Sequence, residues 1–159
     1  MQSQIQQEVT LLMLIDNVAG TEQVKTLAIC AQVLSCADYF KSATTMFEGM
    51  FGQSDFDIMV DIGRIVFQLV SLNGQYSFYK EISETRMKYV IYCVLYAYLI
   101  RNKSEWLSTQ SIGSIRLAYC NAYDLLMVSS DSIKIAKTEC TTCLSSFSSL
   151  FKSSKTPIA

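Results

Sequence analysis

Asp61-Ile62-Gly63-Arg64-Ile65-Val66-Phe67 sets a helix-capping residue, a glycine and a lone arginine at the mouth of a long apolar segment. The Asp61 carboxylate has the chemistry of an N-cap, because it can accept bonds from the unpaired N–H groups of a first helical turn. Gly63 in that turn lowers helix propensity, so something other than helix stability should explain it. Arg64 adds a permanent charge and a rigid fork of donors beside an apolar surface. A small residue next to a charge, among greasy side chains, suits a groove that receives an amphipathic helix carrying an acid. The same residues also read as an ordinary helix start with a surface arginine.

Outward from Asp61, the apolar positions Ile62, Ile65, Val66, Leu69, Val70 and Leu72 continue toward Tyr79. That segment makes a helix apolar on most sides, roughly 28 Å long at ~1.5 Å per residue. A second apolar helix spans about Ser83 to Arg101, where Tyr89, Tyr92, Tyr96 and Tyr98 interleave with Val, Ile and Leu. A helix that is hydrophobic all round belongs at the centre of its bundle.

Amphipathic stretches flank this pair. Ile5, Val9, Leu12 and Ile15 keep helical spacing, Gly20 suits the stop and Thr21 the next N-cap. A helix from about Glu22 to Phe40 follows, with Val24, Leu27, Ala31 and Leu34 on one face. Residues 41–60 look looser, since Gly49 and Gly52 interrupt Met46-Phe47 and Met50-Phe51, and short helices or a half-ordered wall would fit there. Ser104 can cap a short turn with Trp106 and Leu107, and Gly113 separates it from a helix of about Ser114 to Val128. A last helix, about Asp131 to Phe151, carries the stripe Ile133, Ala136, Cys140, Leu144, Phe147 and Leu150. The expected fold is an all-α helical bundle, with two apolar central helices surrounded by amphipathic ones. It forms one domain over residues 1–152, with a disordered polar tail at 153–159.

Half of the chain is apolar and 17% is charged, a surplus of grease that implies a groove, an oligomer interface or a membrane encounter. The stretch from Tyr89 to Ile100 carries no charge, but twelve residues are too few to span a bilayer. Residues 1–10 show no signal-peptide pattern. Charge is uneven. Residues 1–79 hold three basic groups against eight acids, or −5, and residues 80–159 hold ten against six, or +4. This reads either as solvated helix faces or as attraction between the halves, within or between chains. No basic cluster is dense enough for a phosphate backbone, so nucleic acid is not an expected partner.

The chain has six cysteines and no histidine. Cys30, Cys36, Cys93 and Cys120 sit in apolar helical patterns and read as small core residues. Cys140 and Cys143 form a C-x-x-C, yet without a second pair or a histidine a four-ligand zinc site is hard to assemble. No metal or cofactor is expected, and a reducing cytosol is the default compartment. General acid–base work usually draws on histidine. Asp55, Asp57 and Asp61 read more simply as helix N-terminal charges, and no Gly-rich phosphate loop occurs. An enzyme is therefore not expected.

Asp61-Ile62-Gly63-Arg64-Ile65-Val66 resembles the first homology motif of the B-cell lymphoma-two (Bcl) family of apoptosis regulators, Asn-Trp-Gly-Arg followed by Ile-Val. Asp stands for Asn and Ile for Trp. Tyr98-Leu99-Ile100-Arg101-Asn102, then Trp106-Leu107 and Ile112-Gly113, is similar to the second motif, and Tyr119 falls where the family often has a tyrosine. Upstream, Val33, Ala37-Asp38 and Phe40 resemble the third motif, a hydrophobic residue followed by a small-Asp pair. The order third, first, second is the family's own, and the resemblance covers roughly residues 22–120. The family also has a Gly pair within its first central helix, about where Asn73-Gly74 stands. The resemblance thus implies continuous helix across a dipeptide that normally signals a turn. The short Ala19-Gly20 connection and the lack of a hydrophobic anchor look like the compact viral members.

In that family a groove accepts the amphipathic death-motif (BH-three) helix of pro-apoptotic proteins, a helix-in-groove mode of recognition. By resemblance, Gly63 would let the ligand backbone approach and Arg64 would pair with its aspartate. Phe40, Phe47, Met50, Phe51, Val60 and Phe67 would line pockets for its apolar anchors, with Tyr119 also at the partner site. For each of these aromatics, plain core packing is the competing reading. Met46 and Met50 would help one groove fit several partners. The implied function is an anti-apoptotic inhibitor in a host–virus setting, acting in the cytoplasm or at host mitochondria. Two other readings stay open: a homodimeric adaptor or structural protein without an open groove, and a membrane-permeabilising family member.

Overall fold

The computed structural model describes residues 2–51, 57–73, 75–76 and 82–128. Over these the chain folds as α1 (Gln2–Ile15), α2 (Thr21–Leu34), α3 (Ala37–Phe47), α4 (Ile58–Asn73), α5 (Glu84–Asn102), α6 (Ser104–Ser108) and α7 (Ile112–Val128), with no strand among the described residues. The all-α bundle is the one its periodicities predict. α5 is its axis, buried at every position from Tyr89 to Leu99. α1 and α2 cover it, α6 packs at its C-terminal end, and α4 packs most extensively against α7. α4 is the second apolar helix, buried at Val60, Asp61, Ile62, Gly63, Ile65, Val66, Phe67, Leu69, Leu72 and Asn73.

Several element ends differ from their sequence signals. α1 stops at Asn17 rather than Gly20. Asn17 takes a left-handed φ of 62°, its N–H bonds Leu14 O at 3.0 Å, and Val18 N–H bonds Met13 O at 2.7 Å, a Schellman closure. Gly20, with φ 65° and ψ −136°, holds the cap position of α2, so Thr21 is the first helical residue rather than the cap. The single helix expected to Phe40 is two. Cys36 is extended (φ −84°, ψ 97°), and Ser35 folds back so that its hydroxyl donates to Gln32 O at 2.7 Å. The buried face of α2 is Thr26, Cys30, Val33 and Leu34, whereas Val24 is 67% exposed. Thr26 tolerates burial because its hydroxyl donates to Glu22 O at 2.7 Å. In residues 41–47, where short helices or a half-ordered wall would fit, the chain is helical as part of α3.

α4 begins three residues before Asp61. Asp57 is its cap, with Oδ1 accepting from Met59 N–H at 3.0 Å and Val60 N–H at 3.1 Å. Asp61 reaches back to accept Asp57 N–H at 2.7 Å, a reciprocal pairing in the manner of a capping box. Gly63 accordingly lies in the second turn. The C-terminal end is a correction too. α4 stops at Asn73, and Gln75 and Tyr76 N–H groups close a turn on Leu72 O and Asn73 O. The continuous helix implied by the family resemblance is absent, because Asn73 is buried and held elsewhere. Tyr39 Oη donates to its Oδ1 at 2.6 Å, and its Nδ2 donates to Met87 Sδ at 3.7 Å.

Ser83 caps α5 by accepting Arg86 N–H at 3.3 Å. Ser104 opens α6 as its first residue, without a capping bond, and Gly113 lies inside α7 rather than before it. The expected helix over 131–151, the Cys140/Cys143 pair, the 153–159 tail, Gly52 and Asp55 lie outside the described residues.

Candidate functional site

The α3–α5–α6 corner gathers aromatic rings. Phe47, at the end of α3, is fully buried with its ring edge-on to Tyr98 of α5 at 5.2 Å. The chain then turns, with Glu48 N–H on Thr44 O and Met50 N–H on Phe47 O. This turn delivers Phe51, 6% exposed, against Tyr98 at 5.8 Å and edge-on to Trp106 of α6 at 5.0 Å. Met50 is half-buried. The Glu48 carboxylate meets Lys103 Nζ, at the C-cap of α5, at 3.0 Å. Beneath the rings, the Tyr98 hydroxyl is buried with no hydrogen-bond partner. Burial, aided by the charge of Glu48, pushes its pKa up to about 12. Farther along α3, half-buried Phe40 lies beneath the Arg101 guanidinium, 4.7 Å from its centroid.

On α4, Val60, Gly63 and Phe67 are buried, and Arg64 keeps 34% of its side chain exposed. Arg64 Nη1 meets Asp61 Oδ1 at 3.4 Å, a long contact one helical turn back. The structure thus places Phe47 and Phe51 in one aromatic corner with Met50 in the turn between them. Val60, Gly63, Arg64 and Phe67 share α4, which packs on α3. Tyr119 is in neither group. It is fully buried on α7, with its ring 4.9 Å from Tyr92 and its hydroxyl donating to Lys88 O. It ties α7 to α5 and, in this conformation, has no exposed surface to offer a partner.

A polar cluster went unread in the sequence. Glu8 of α1, 8% exposed, takes a bidentate bond from Arg116 of α7 at 2.8 and 2.9 Å and a 2.6 Å bond from Tyr92 Oη of α5. Its signal was present, since Glu8 stands within the Ile5–Val9–Leu12 stripe. Around it, Arg86 binds Glu22 at 2.8 Å and Lys88 binds Asp16 at 3.0 Å and Asp124 at 3.7 Å. Tyr89 Oη donates to Asp16 at 3.1 Å. The pairs Glu8–Arg116, Asp16–Lys88, Glu22–Arg86 and Glu48–Lys103 all join an acid of the first half to a base of the second. Among the described residues, four acids of the first half are thus answered by bases of the second within the chain. The Arg86 fork holds the Glu22 carboxyl below the usual carboxylate range.

Cys30 and Cys93 are buried together where α2 meets α5, beside a cavity of about 60 Å³ lined also by Ile5, Gln6, Val9 and Leu27. The Cys30 thiol against it, and burial, push the Cys93 thiol well above its ordinary pKa. Among the described residues no group of three or more His, Cys, Asp or Glu could hold a metal ion, and no helix is long and apolar enough to cross a membrane. In comparisons with known proteins, no family model, no curated protein and no solved structure matches this chain.

Proposed function

We propose that the chain is a non-enzymatic inhibitor of apoptosis that sequesters pro-death proteins by binding their amphipathic death-motif helix in a hydrophobic groove. The observation that carries this reading is the Gly63-Arg64 pair on α4. A buried glycine adjoins a partly exposed arginine whose ion pair with Asp61 is long. A partner aspartate within reach of Arg64 would form a shorter, charge-assisted contact and displace the weak internal one. The three motifs in family order support the reading further, and so do the aromatic residues of the α3 end. By the same family resemblance, it would act inside a host cell, in the cytoplasm or at mitochondria.

Titration calorimetry against a panel of death-motif peptides tests the proposal. At least one peptide should bind, and Arg64→Ala should weaken it by roughly 2–5 kcal/mol, since the ligand acid is left unpaired. Binding that is unchanged in Arg64→Ala removes Arg64 from the site, and a panel with no binder removes the function.

A second reading, an adaptor or homodimer with its groove filled, is favoured by one observation. Phe47, Phe51, Val60 and Phe67 are each 6% exposed or less. Light scattering over a concentration series separates the two readings: a dimer that no peptide disturbs supports the adaptor.

A further inference from the structure

We propose that the Glu48–Phe51 turn is an autoinhibitory lid, and that Phe51 is a plug filling the pocket that a partner's apolar anchor takes. The identity of that partner, an amphipathic helix, rests on the groove reading above; the lid itself does not.

The plug differs from the wall around it. Phe47, Tyr98 and Trp106 belong to helices α3, α5 and α6, whereas Phe51 hangs from a turn. Its ring nonetheless penetrates to 5.0 Å from Trp106 and 5.8 Å from Tyr98. A turn needs fewer bonds broken to move than a helix does, and low local stability is the property of segments that open. One outer fastening is the Glu48–Lys103 ion pair at 3.0 Å, in which Glu48 is 59% exposed. A pair so open to solvent is screened and holds weakly.

The closed state also leaves a debt. Tyr98 is fully buried, yet its hydroxyl has no partner. A buried polar group without a bond is unfavourable, and displacement of Phe51 gives that hydroxyl access to water or to an acceptor on a ligand. The pocket therefore fits a benzyl-sized or large aliphatic side chain, with a hydrogen-bond acceptor near its tip. This is the chemistry of an apolar helix anchor followed by a polar neighbour or an exposed backbone carbonyl.

Trp106 is the only tryptophan and lies against the plug, so it reports the lid directly. The experiment uses the full chain with Lys103→Met, which cuts the fastening and leaves Phe51 in place, and with Phe51→Ala, which removes the plug. Circular dichroism checks the fold of each. Acrylamide quenching of Trp106 is measured without any partner, and the affinity of a death-motif peptide is measured by calorimetry. Quenching should rise in Lys103→Met, where the Phe51 ring is still present to cover Trp106. Peptide affinity should rise about 3–10-fold in Phe51→Ala, because removing the plug lifts the penalty of opening the closed state. Unchanged quenching in Lys103→Met, or weaker peptide binding in Phe51→Ala, makes Phe51 a fixed wall and overturns the lid. Increased quenching in Lys103→Met with no peptide bound by any form supports the lid and overturns the groove reading instead.

Discussion

At the residue scale, the pairing of Glu8 with Arg116 and Tyr92 is the most consequential contact outside the proposed groove. It places a carboxylate inside the bundle, and its removal on one side strands a charge. Arg116→Met should cost about 2–4 kcal/mol in urea unfolding, under the fully buried range because 21% of the Arg116 side chain stays exposed. Adding Glu8→Gln, which removes the stranded charge and keeps an acceptor for the Tyr92 hydroxyl, should restore most of that loss, and a double variant no better than the single one would show that the pair contributes through packing alone. The acid was legible, since it interrupts an apolar stripe, but its partner 108 residues away was not. Gly63 and Arg64 were legible as residue types, and their burial and half-exposure follow from their places on α4. Val24, expected on the buried face of α2, is exposed and Thr26 is buried for a physical reason. Hydropathy ranks valine above threonine, yet the bond from Thr26 to Glu22 O cancels the hydroxyl's desolvation and lets the threonine face the core. Tyr119, placed at the partner site by resemblance, is instead committed to the α5–α7 contact.

At the element scale, α5 was the easiest helix to read, because residues apolar on all sides have one stable home. Boundaries were harder. The α2–α3 break at Ser35-Cys36 has neither glycine nor proline to mark it, and it depends on Ser35 bonding back to Gln32. The α1 stop depends on Asn17 adopting the left-handed region that its short side chain tolerates better than most. Asn17→Ala should therefore lower stability by about 1–2 kcal/mol, while Asn17→Gly should leave it unchanged or raise it. Thermal denaturation of the two variants side by side checks this, and equal midpoints would mean that the Schellman closure is not needed. At the α4 start, Asp57→Ala should cost about 1 kcal/mol, with helix content lost mainly from α4 by hydrogen exchange. A matching loss in Asp61→Ala is expected too, since Asp61 completes the same reciprocal cap. The turn after Asn73 shows where family likeness misleads: a buried Asn73, tied to Tyr39 and Met87, ends the helix whatever the family pattern implies.

At the scale of the whole molecule, the charge asymmetry and the tyrosine-rich centre shape the response to solvent. Tyr98 and Tyr123 hold their protons to about pH 12, with burial as the first cause, and Tyr92 and Tyr119 are shifted the same way. The unfolded chain releases these protons near pH ~10. Stability from their burial is thus whole below about pH 10 and falls as pH rises toward 12, where the unfolded state gains by ionising first. The share of 295 nm tyrosinate absorbance that Tyr98→Phe and Tyr123→Phe remove should rise together with loss of helical circular dichroism, and its appearance near pH ~10 in an intact fold would contradict the burial. The composition made both features visible, as a −5/+4 split and as tyrosines set among aliphatic residues, but not their geometry. Among the described residues, the opposite halves meet within the chain through the contacts of α1 and α2 with α5. That arrangement also has a consequence for biosynthesis. A ribosome delivers α1 and α2 before the ion-pair partners of Glu8, Asp16 and Glu22 and before the α5 core that both helices cover. Their partners Arg86, Lys88 and Arg116 emerge only with α5 and α7. The nascent chain therefore waits, acidic and incomplete, until nearly all of the described bundle has been made, and its first helix is among the last to be locked in place.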